Sequence, residues 1–162
     1  MLPRWLYARS FLIISLLVCT ACAQMPSNES ALEYRTAQLI RALSALADNA
    51  AQRDKIEEQQ ATLLEQLESI GPAAVPYIVK NMDVRKPLAI THMRLANKFP
   101  NAWEGYRTYR PRQVVDALAA ILDQLTGKTM LAGADIFNGE GTSGDRDALI
   151  AAWKEYVQSA MD

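Results

Sequence analysis

The sequence predicts an all-α fold, a compact array of about five or six helices in a single domain. The length of 162 residues and the apolar content of 50% suit one globular unit. Apolar side chains recur at helical spacing through most of the chain, and short turn-forming segments separate these stripes. A chain of this size buries roughly two-thirds of its unfolded surface, so it needs no disulfide or metal to be stable.

Residues 1–23 have the layout of a secretory signal peptide. Arg4 and Arg9 supply positive charge, an apolar run follows over residues 10–18, and small residues come next. The apolar run is shorter than the roughly 20 residues of a membrane-spanning helix. We therefore expect the chain to be exported and this segment to be removed.

Two processing routes fit the end of the leader. Ala21-Cys22-Ala23 matches ordinary signal peptidase, with cleavage before Gln24 and a soluble periplasmic product. Residues 16–22 also resemble the lipobox of bacterial lipoproteins, although Cys19 stands where an aliphatic residue is expected. That resemblance implies a lipid on Cys22, attachment to the membrane through it, and an outer-membrane address because Ala23 is not aspartate.

The first predicted elements follow a polar tether over residues 24–30, and the helical domain spans residues 31–162. Ser30 and Glu33 form a predicted capping box that opens the first helix. Its apolar stripe is Leu32, Leu39, Ile40, Leu43, Leu46 and Ala47. After a break at Asp48-Asn49 a second helix ends at Gly71-Pro72. Its stripe is Ile56, Leu63, Leu64, Leu67 and Ile70.

A third, short helix is predicted around Pro76, which fits a first helical turn because its missing N–H would have no partner there. The segments 67–71 and 74–78 resemble the turn between the helices of a HEAT-type repeat. This resemblance implies HEAT-like helical hairpins, of the kind found in uncharacterised exported bacterial proteins. No second copy follows at the expected spacing, so the sequence does not establish a solenoid.

The segment 83–110 is harder to interpret, because residues 88–93 fit an extended or a helical conformation equally well. A short helix is expected over residues 102–106. Pro111 is predicted at the first position of the next helix, which ends at Gly127. Its stripe is Val114, Leu118, Ile121, Leu122 and Leu125. After a glycine-rich stretch, residues 142–145 open the last helix. Its stripe is Leu149, Ile150, Trp153, Tyr156 and Val157.

Charge is distributed unevenly, with a basic segment over residues 80–112 between two acidic ones. Arg107, Tyr109, Arg110 and Arg112 interleave aromatic and basic side chains, so they are candidates for binding an anion or a partner. Alternatively, the tyrosines pack and the arginines pair with acids of neighbouring helices. Because the protein is expected to be exported, nucleic acid is an unsuitable ligand. The candidate ligands are then an anionic envelope polymer, a lipid head group or an acidic partner.

No catalytic constellation is visible. His92 is the only histidine, and the sequence has no Gly-x-Ser-x-Gly motif whose serine it could activate. Nucleotide-binding and zinc-protease motifs are lacking as well. The only cysteines lie in the leader, and the oxygen-rich loop after Asp135 fails the EF-hand spacing. Glu57-Glu58, Glu65 and Glu68 are expected on the solvated side of a helix. We therefore predict no catalytic residue, no metal and no cofactor.

These observations predict a non-enzymatic interaction or scaffold protein of the cell envelope that binds a protein partner there. The lipobox resemblance of the leader implies that it is a lipoprotein. The alternative is a binding module for an anionic envelope polymer or a lipid head group. A third hypothesis is an envelope hydrolase, which requires two carboxyl groups that face one cleft.

Overall fold

The computed structural model describes residues 28–46, 49–98, 105–130 and 135–161. The predicted all-α class is confirmed, because five α-helices and one short β-hairpin make up the regular structure of these residues. The elements are α1 Asn28–Ala45, α2 Arg53–Ser69, α3 Val75–Asn81, β1 Met93–Ala96, β2 Tyr106–Tyr109, α4 Val114–Thr126 and α5 Ser143–Met161. The predicted leader, with Cys22, lies outside the described residues.

Helix α4 forms the centre of the molecule. Every residue from 114 to 124 is buried, and the helix contacts α2, α3 and α5. Leu118, Ile121 and Leu122 are fully enclosed, and burial of each such side chain stabilises the fold by about 1.5–3 kcal/mol. Because this helix is covered on all sides, its polar residues are buried together with its apolar stripe.

Helices α2 and α3 pack against α4, and α1 packs against α2 and α3. Helix α1 begins at Asn28, so Ser30 lies inside the helix and the last residues assigned to the tether are helical. The predicted stripe of α1 is confirmed at Leu39, Ile40 and Leu43, which are buried. Helix α2 ends before Gly71, whose φ of 81° is a left-handed conformation that glycine adopts without strain.

The short helix predicted around Pro76 is present as α3. Pro76 is the second residue of α3, where the proline ring leaves no hydrogen bond unmade. Val75, Ile78 and Val79 are buried on the predicted apolar side. Helix α3 packs against α1, α4 and α5.

Residues 93–96 and 106–109 form an antiparallel hairpin, with Met93 opposite Tyr109 and Ala96 opposite Tyr106. The helix expected over residues 102–106 is therefore wrong at Tyr106, and residues 102–104 lie outside the described part. The sequence Tyr-Arg-Thr-Tyr favours a strand because aromatic and β-branched side chains fit a half-buried pleated surface. In β1, buried and exposed residues alternate, as a strand with one covered face requires.

The ends of α4 are fixed by side-chain and backbone bonds. The helix begins at Val114, so the prediction that Pro111 is its first residue is wrong. The Asp116 carboxylate accepts the backbone N–H of Gln113 at 3.0 Å, which stabilises the start of the helix. Gly127, with φ of 65°, ends the helix as predicted.

Helix α5 begins at Ser143 with a reciprocal cap. The backbone N–H of Asp145 donates to Thr142 Oγ1 at 3.2 Å, and the N–H of Thr142 donates to Asp145 Oδ2 at 2.7 Å. Hydrogen bonds from Thr142 lower the pKa of the Asp145 carboxyl. The predicted opening of the last helix at residues 142–145 is confirmed.

Candidate functional site

A groove of about 470 Å³ lies between helix α2 and the β-hairpin, and we call it the α2–β1 groove. Its helix wall consists of Glu57, Gln60, Ala61, Leu64, Glu65 and Glu68, and its hairpin wall of residues 92–96 and Tyr106.

The helix wall presents two rows of side chains at a spacing of four residues. Gln60, Leu64 and Glu68 are buried and form the inner row. Glu57 and Glu65 are exposed and belong to the outer row, on the rim of the groove. The wall therefore combines an apolar centre with carboxylates at its edge.

Hydrogen bonds between Gln60 and the backbone of Ile90 join α2 to the chain at one end of the groove. Gln60 Nε2 donates to the carbonyl of Ile90 at 2.7 Å, and the N–H of Ile90 donates to Gln60 Oε1 at 3.0 Å. At the other end, Lys98 Nζ lies 3.2 Å from Glu68 Oε1. The helix rises about 16 Å between Glu57 and Glu68, the first and last lining residues of α2, and this rise sets the length of the groove.

An arginine stacked on a tyrosine lies on the hairpin wall. The guanidinium carbon of Arg94 lies 4.0 Å from the centre of the Tyr106 ring, a cation–π contact. Tyr106 keeps 64% of its surface exposed, and the solitary His92 is exposed as well. Aromatic and basic groups thus oppose the carboxylates of α2.

The carboxylates of the groove have few internal partners. Among the described residues, no ion pair or hydrogen bond engages the side chains of Glu57 and Glu65. Glu68 is buried, so its predicted place on the solvated side of the helix is wrong. Its Oε1 atom accepts no hydrogen bond, because the contact with Lys98 is an ion pair without hydrogen-bond geometry.

These acids share one wall, which matters for the hydrolase hypothesis. Glycosidases place one carboxyl group on each side of the bond that they cleave. Here Glu57, Glu65 and Glu68 come from one helix, and the opposite wall carries Arg94 and His92. This geometry differs from that of a glycosidase cleft.

The sequence-predicted candidates lie beside the groove. Tyr109 is only 4% exposed, and its hydroxyl oxygen accepts a hydrogen bond from Gln124 Nε2 at 2.5 Å. Burial raises the pKa of the Tyr109 hydroxyl. Arg107 is exposed, with its guanidinium carbon 5.9 Å from the Tyr109 ring centre. Arg110 and Arg112 are exposed after the hairpin. Tyr109 therefore packs as part of the core, and the three arginines keep exposed side chains.

Asp123 is a buried acid that the sequence analysis did not single out. It is 2% exposed, Oδ2 accepts the Thr129 hydroxyl at 3.1 Å, and Oδ1 has no hydrogen-bond partner among the described residues. Burial raises the pKa of this carboxyl to about 6, and the nearby charge of Arg107 opposes the increase. The sequence signal that could have identified Asp123 is its position in a mostly apolar helix, because such a helix is buried and takes its few polar residues into the core.

A second buried charge joins α4 to α5. Arg146 Nε and Nη2 donate to the two carboxylate oxygens of Asp116 at 2.6 and 2.8 Å. The same guanidinium donates to the carbonyl of Gly141. This pair is fully engaged, so it has a structural role.

Comparison with known proteins leaves the family open: no family model, no curated protein and no solved structure matches the chain. Of the helices described, none combines the length and apolar character needed to cross a membrane. Over the same residues, no three His, Cys, Asp or Glu side chains are grouped so that they could hold a metal ion.

Proposed function

We propose that the chain is a non-enzymatic interaction protein of the bacterial cell envelope, and that it binds a protein partner in the α2–β1 groove. The observation that carries the proposal is the groove itself, in which the carboxylates of Glu57 and Glu65 lie on the rim without a described partner. Ligand sites typically combine an apolar floor with a few polar groups that orient the ligand. Leu64, Met93 and Leu95 supply apolar lining here.

The proposed location of the protein in the cell depends on the predicted leader, residues 1–23. Removal of residues 1–21, which would leave a lipidated Cys22 as the mature N-terminus, would hold the domain at the periplasmic face of the outer membrane. Two lipid signals are needed for stable anchoring, since each buried CH₂ contributes about 0.8 kcal/mol and one chain binds only reversibly. The multiple acyl chains implied by the lipoprotein resemblance meet this requirement.

Site-specific photo-crosslinking in living bacteria tests the binding proposal. A photoreactive amino acid at Ala61, on the exposed rim of the groove, should form a discrete adduct with one envelope protein. The same amino acid at Gln158, exposed on α5, is the matched control and should not form that adduct. Equal labelling from both positions, or no adduct at Ala61, would refute the proposal.

Substitution of the leader cysteines tests the address. Cys22→Ala should leave the protein unprocessed or release it from the membrane fraction, whereas Cys19→Ala should leave membrane attachment intact. Unchanged membrane retention of a processed Cys22→Ala protein would exclude the lipid anchor.

A second candidate function is the binding of an anionic envelope polymer or lipid head group. The observation that favours it is that Arg107, Arg110 and Arg112 all keep exposed side chains on one short segment. Replacement of all three by alanine should lower the salt concentration at which the protein leaves a polyanion column. The matched control removes three exposed cations elsewhere, at Arg35, Arg41 and Lys154. Equal effects of the two triple variants would reject a specific site.

A further inference from the structure

Strand β1 exposes one backbone edge toward the groove. The N–H of Asn97 donates to the carbonyl of Gly105 at 2.9 Å, so this pair is hydrogen-bonded in the antiparallel register. Hydrogen-bonded and non-bonded pairs alternate in such a ladder. The N–H and C=O groups of Arg94 and Ala96 therefore point away from β2. Both residues line the α2–β1 groove, and β2 is the sole strand that pairs with β1 in the described part of the chain.

The Gln60 side chain makes strand-like bonds to the backbone of Ile90, three residues before β1 begins. Its amide donates to the carbonyl of Ile90 and accepts the N–H of Ile90, which are the two bonds that a neighbouring strand would make. Beyond this contact, Ala61 and Leu64 face the edge with short or apolar side chains. Among the described residues, no such bond reaches the backbone of Arg94 or Ala96, so these groups of β1 remain available to a ligand.

Three carboxylates determine the charge that suits this ligand. Glu57 and Glu65 lie unpaired on the rim, as described above, and Glu68 is buried with an Oε1 atom that accepts no hydrogen bond. Within the described ranges, the cation paired with one of them is Lys98, which lies beside Glu68 at the far end. The hairpin wall carries Arg94 and His92, so the acidic groups belong to the α2 side of the groove. A ligand that directs positive side chains toward α2 would satisfy these acids, whereas carboxylates directed there would be repelled.

From the exposed strand edge, the Gln60 contact and the unpaired acids together, we infer that the partner enters the α2–β1 groove as a short extended segment. This segment pairs with the free edge of β1 and directs lysine or arginine side chains toward Glu57 and Glu65. This inference rests on the proposed function and specifies its mode of binding. Addition of a strand to a sheet edge derives affinity from main-chain hydrogen bonds and specificity from side-chain contacts. A groove about 16 Å long accommodates roughly five extended residues.

Fluorescence anisotropy with defined peptides tests this inference on the purified protein. The probe is a terminally blocked hexapeptide of alternating threonine and lysine, and the comparison peptide replaces lysine by glutamate. The lysine peptide should bind at least about tenfold more tightly, since the rim is acidic. Glu57→Gln together with Glu65→Gln should weaken its binding by about 2- to 30-fold, the range expected for two exposed ion pairs. The matched control, Glu58→Gln with Glu155→Gln, removes equal charge from exposed sites outside the groove and should leave binding unchanged.

Backbone methylation separates strand pairing from simple charge attraction. In a strand, alternate N–H groups face β1, so N-methyl groups on either the odd or the even residues of the lysine peptide should weaken binding by about fivefold or more, and the other pattern should weaken it less. Equal affinity of both methylated peptides and the parent would overturn the inference. Displacement of the peptide by an equal concentration of spermidine would overturn it as well, because a polyamine has no backbone to pair. A groove-specific adduct at Ala61 combined with either result would retain the proposed function and reject the strand.

Discussion

Replacement of Asp123 by asparagine removes a charge that the fold holds in its interior. The carboxylate is 2% exposed, Oδ1 has no described partner, and Thr129 donates the hydrogen bond at 3.1 Å to Oδ2. Asparagine has nearly the same shape, and its carbonyl oxygen accepts the Thr129 bond equally well. The substitution therefore changes the charge and leaves the packing of α4 in place.

The magnitude follows from the pKa of the carboxyl, which burial raises from 3.8 to about 6. Because each pKa unit corresponds to about 1.36 kcal/mol, ionisation of Asp123 costs the folded state about 3 kcal/mol. The folded pKa lies above the unfolded one, so the contribution of this group to stability is fully present below pH 3.8 and is lost as the pH rises through 6. At pH 7.5 the native protein bears the whole cost, and the asparagine variant does not.

Urea denaturation at pH 7.5 and pH 4.5 measures this effect. The free energy of unfolding of Asp123→Asn, minus that of the native protein, should be about 2 kcal/mol larger at pH 7.5 than at pH 4.5. Glu155→Gln, which removes an exposed acid of α5, should show no such difference between the two pH values. An equal effect of Asp123→Asn at both pH values, or a larger one at pH 4.5, would refute the assignment of a raised pKa to this carboxyl.

Two further substitutions probe the contacts that shape the groove and the core. Arg146→Met should lower the free energy of unfolding by about 3–5 kcal/mol, because it leaves the buried Asp116 carboxylate without its cation. A loss under about 1 kcal/mol in urea denaturation would show that the ion pair between Arg146 and Asp116 is not formed in solution. Gln60→Ala should lower the free energy of unfolding by about 1–3 kcal/mol, because it leaves the buried N–H and C=O of Ile90 without hydrogen bonds. An unchanged rate of amide hydrogen exchange at Ile90 in the variant would contradict this role.

Helical periodicity was sufficient to predict most of the fold. The apolar stripes, the break near Asn49, the left-handed turn at Gly71 and the end of α4 at Gly127 depend on local chemistry, and all are present in the structure. The hairpin was not predicted, because Met93–Ala96 is too short for its period to be distinguished from that of a helix. Its strand conformation depends on pairing with residues ten or more positions away. The resemblance to HEAT repeats and the lipobox remain predictions.

The candidate site was less accessible to sequence reasoning. Glu68 looked like one more polar residue of an amphipathic helix, and its burial follows from the hairpin that packs beside α2. Tyr109 was a candidate for ligand binding, with packing as the alternative, and the hairpin turns it toward Gln124 and the core. Both outcomes depend on which elements meet in three dimensions, which a single sequence does not specify.

Amide hydrogen exchange at Arg94 and Ala96 tests most directly whether the groove receives an extended segment. Their N–H groups point away from β2, so they should exchange rapidly in the unbound protein. Saturation with the threonine–lysine hexapeptide should slow the exchange of both amides by about fivefold or more, and the glutamate peptide should not. Unchanged exchange at both positions under saturating lysine peptide would contradict strand addition at this edge.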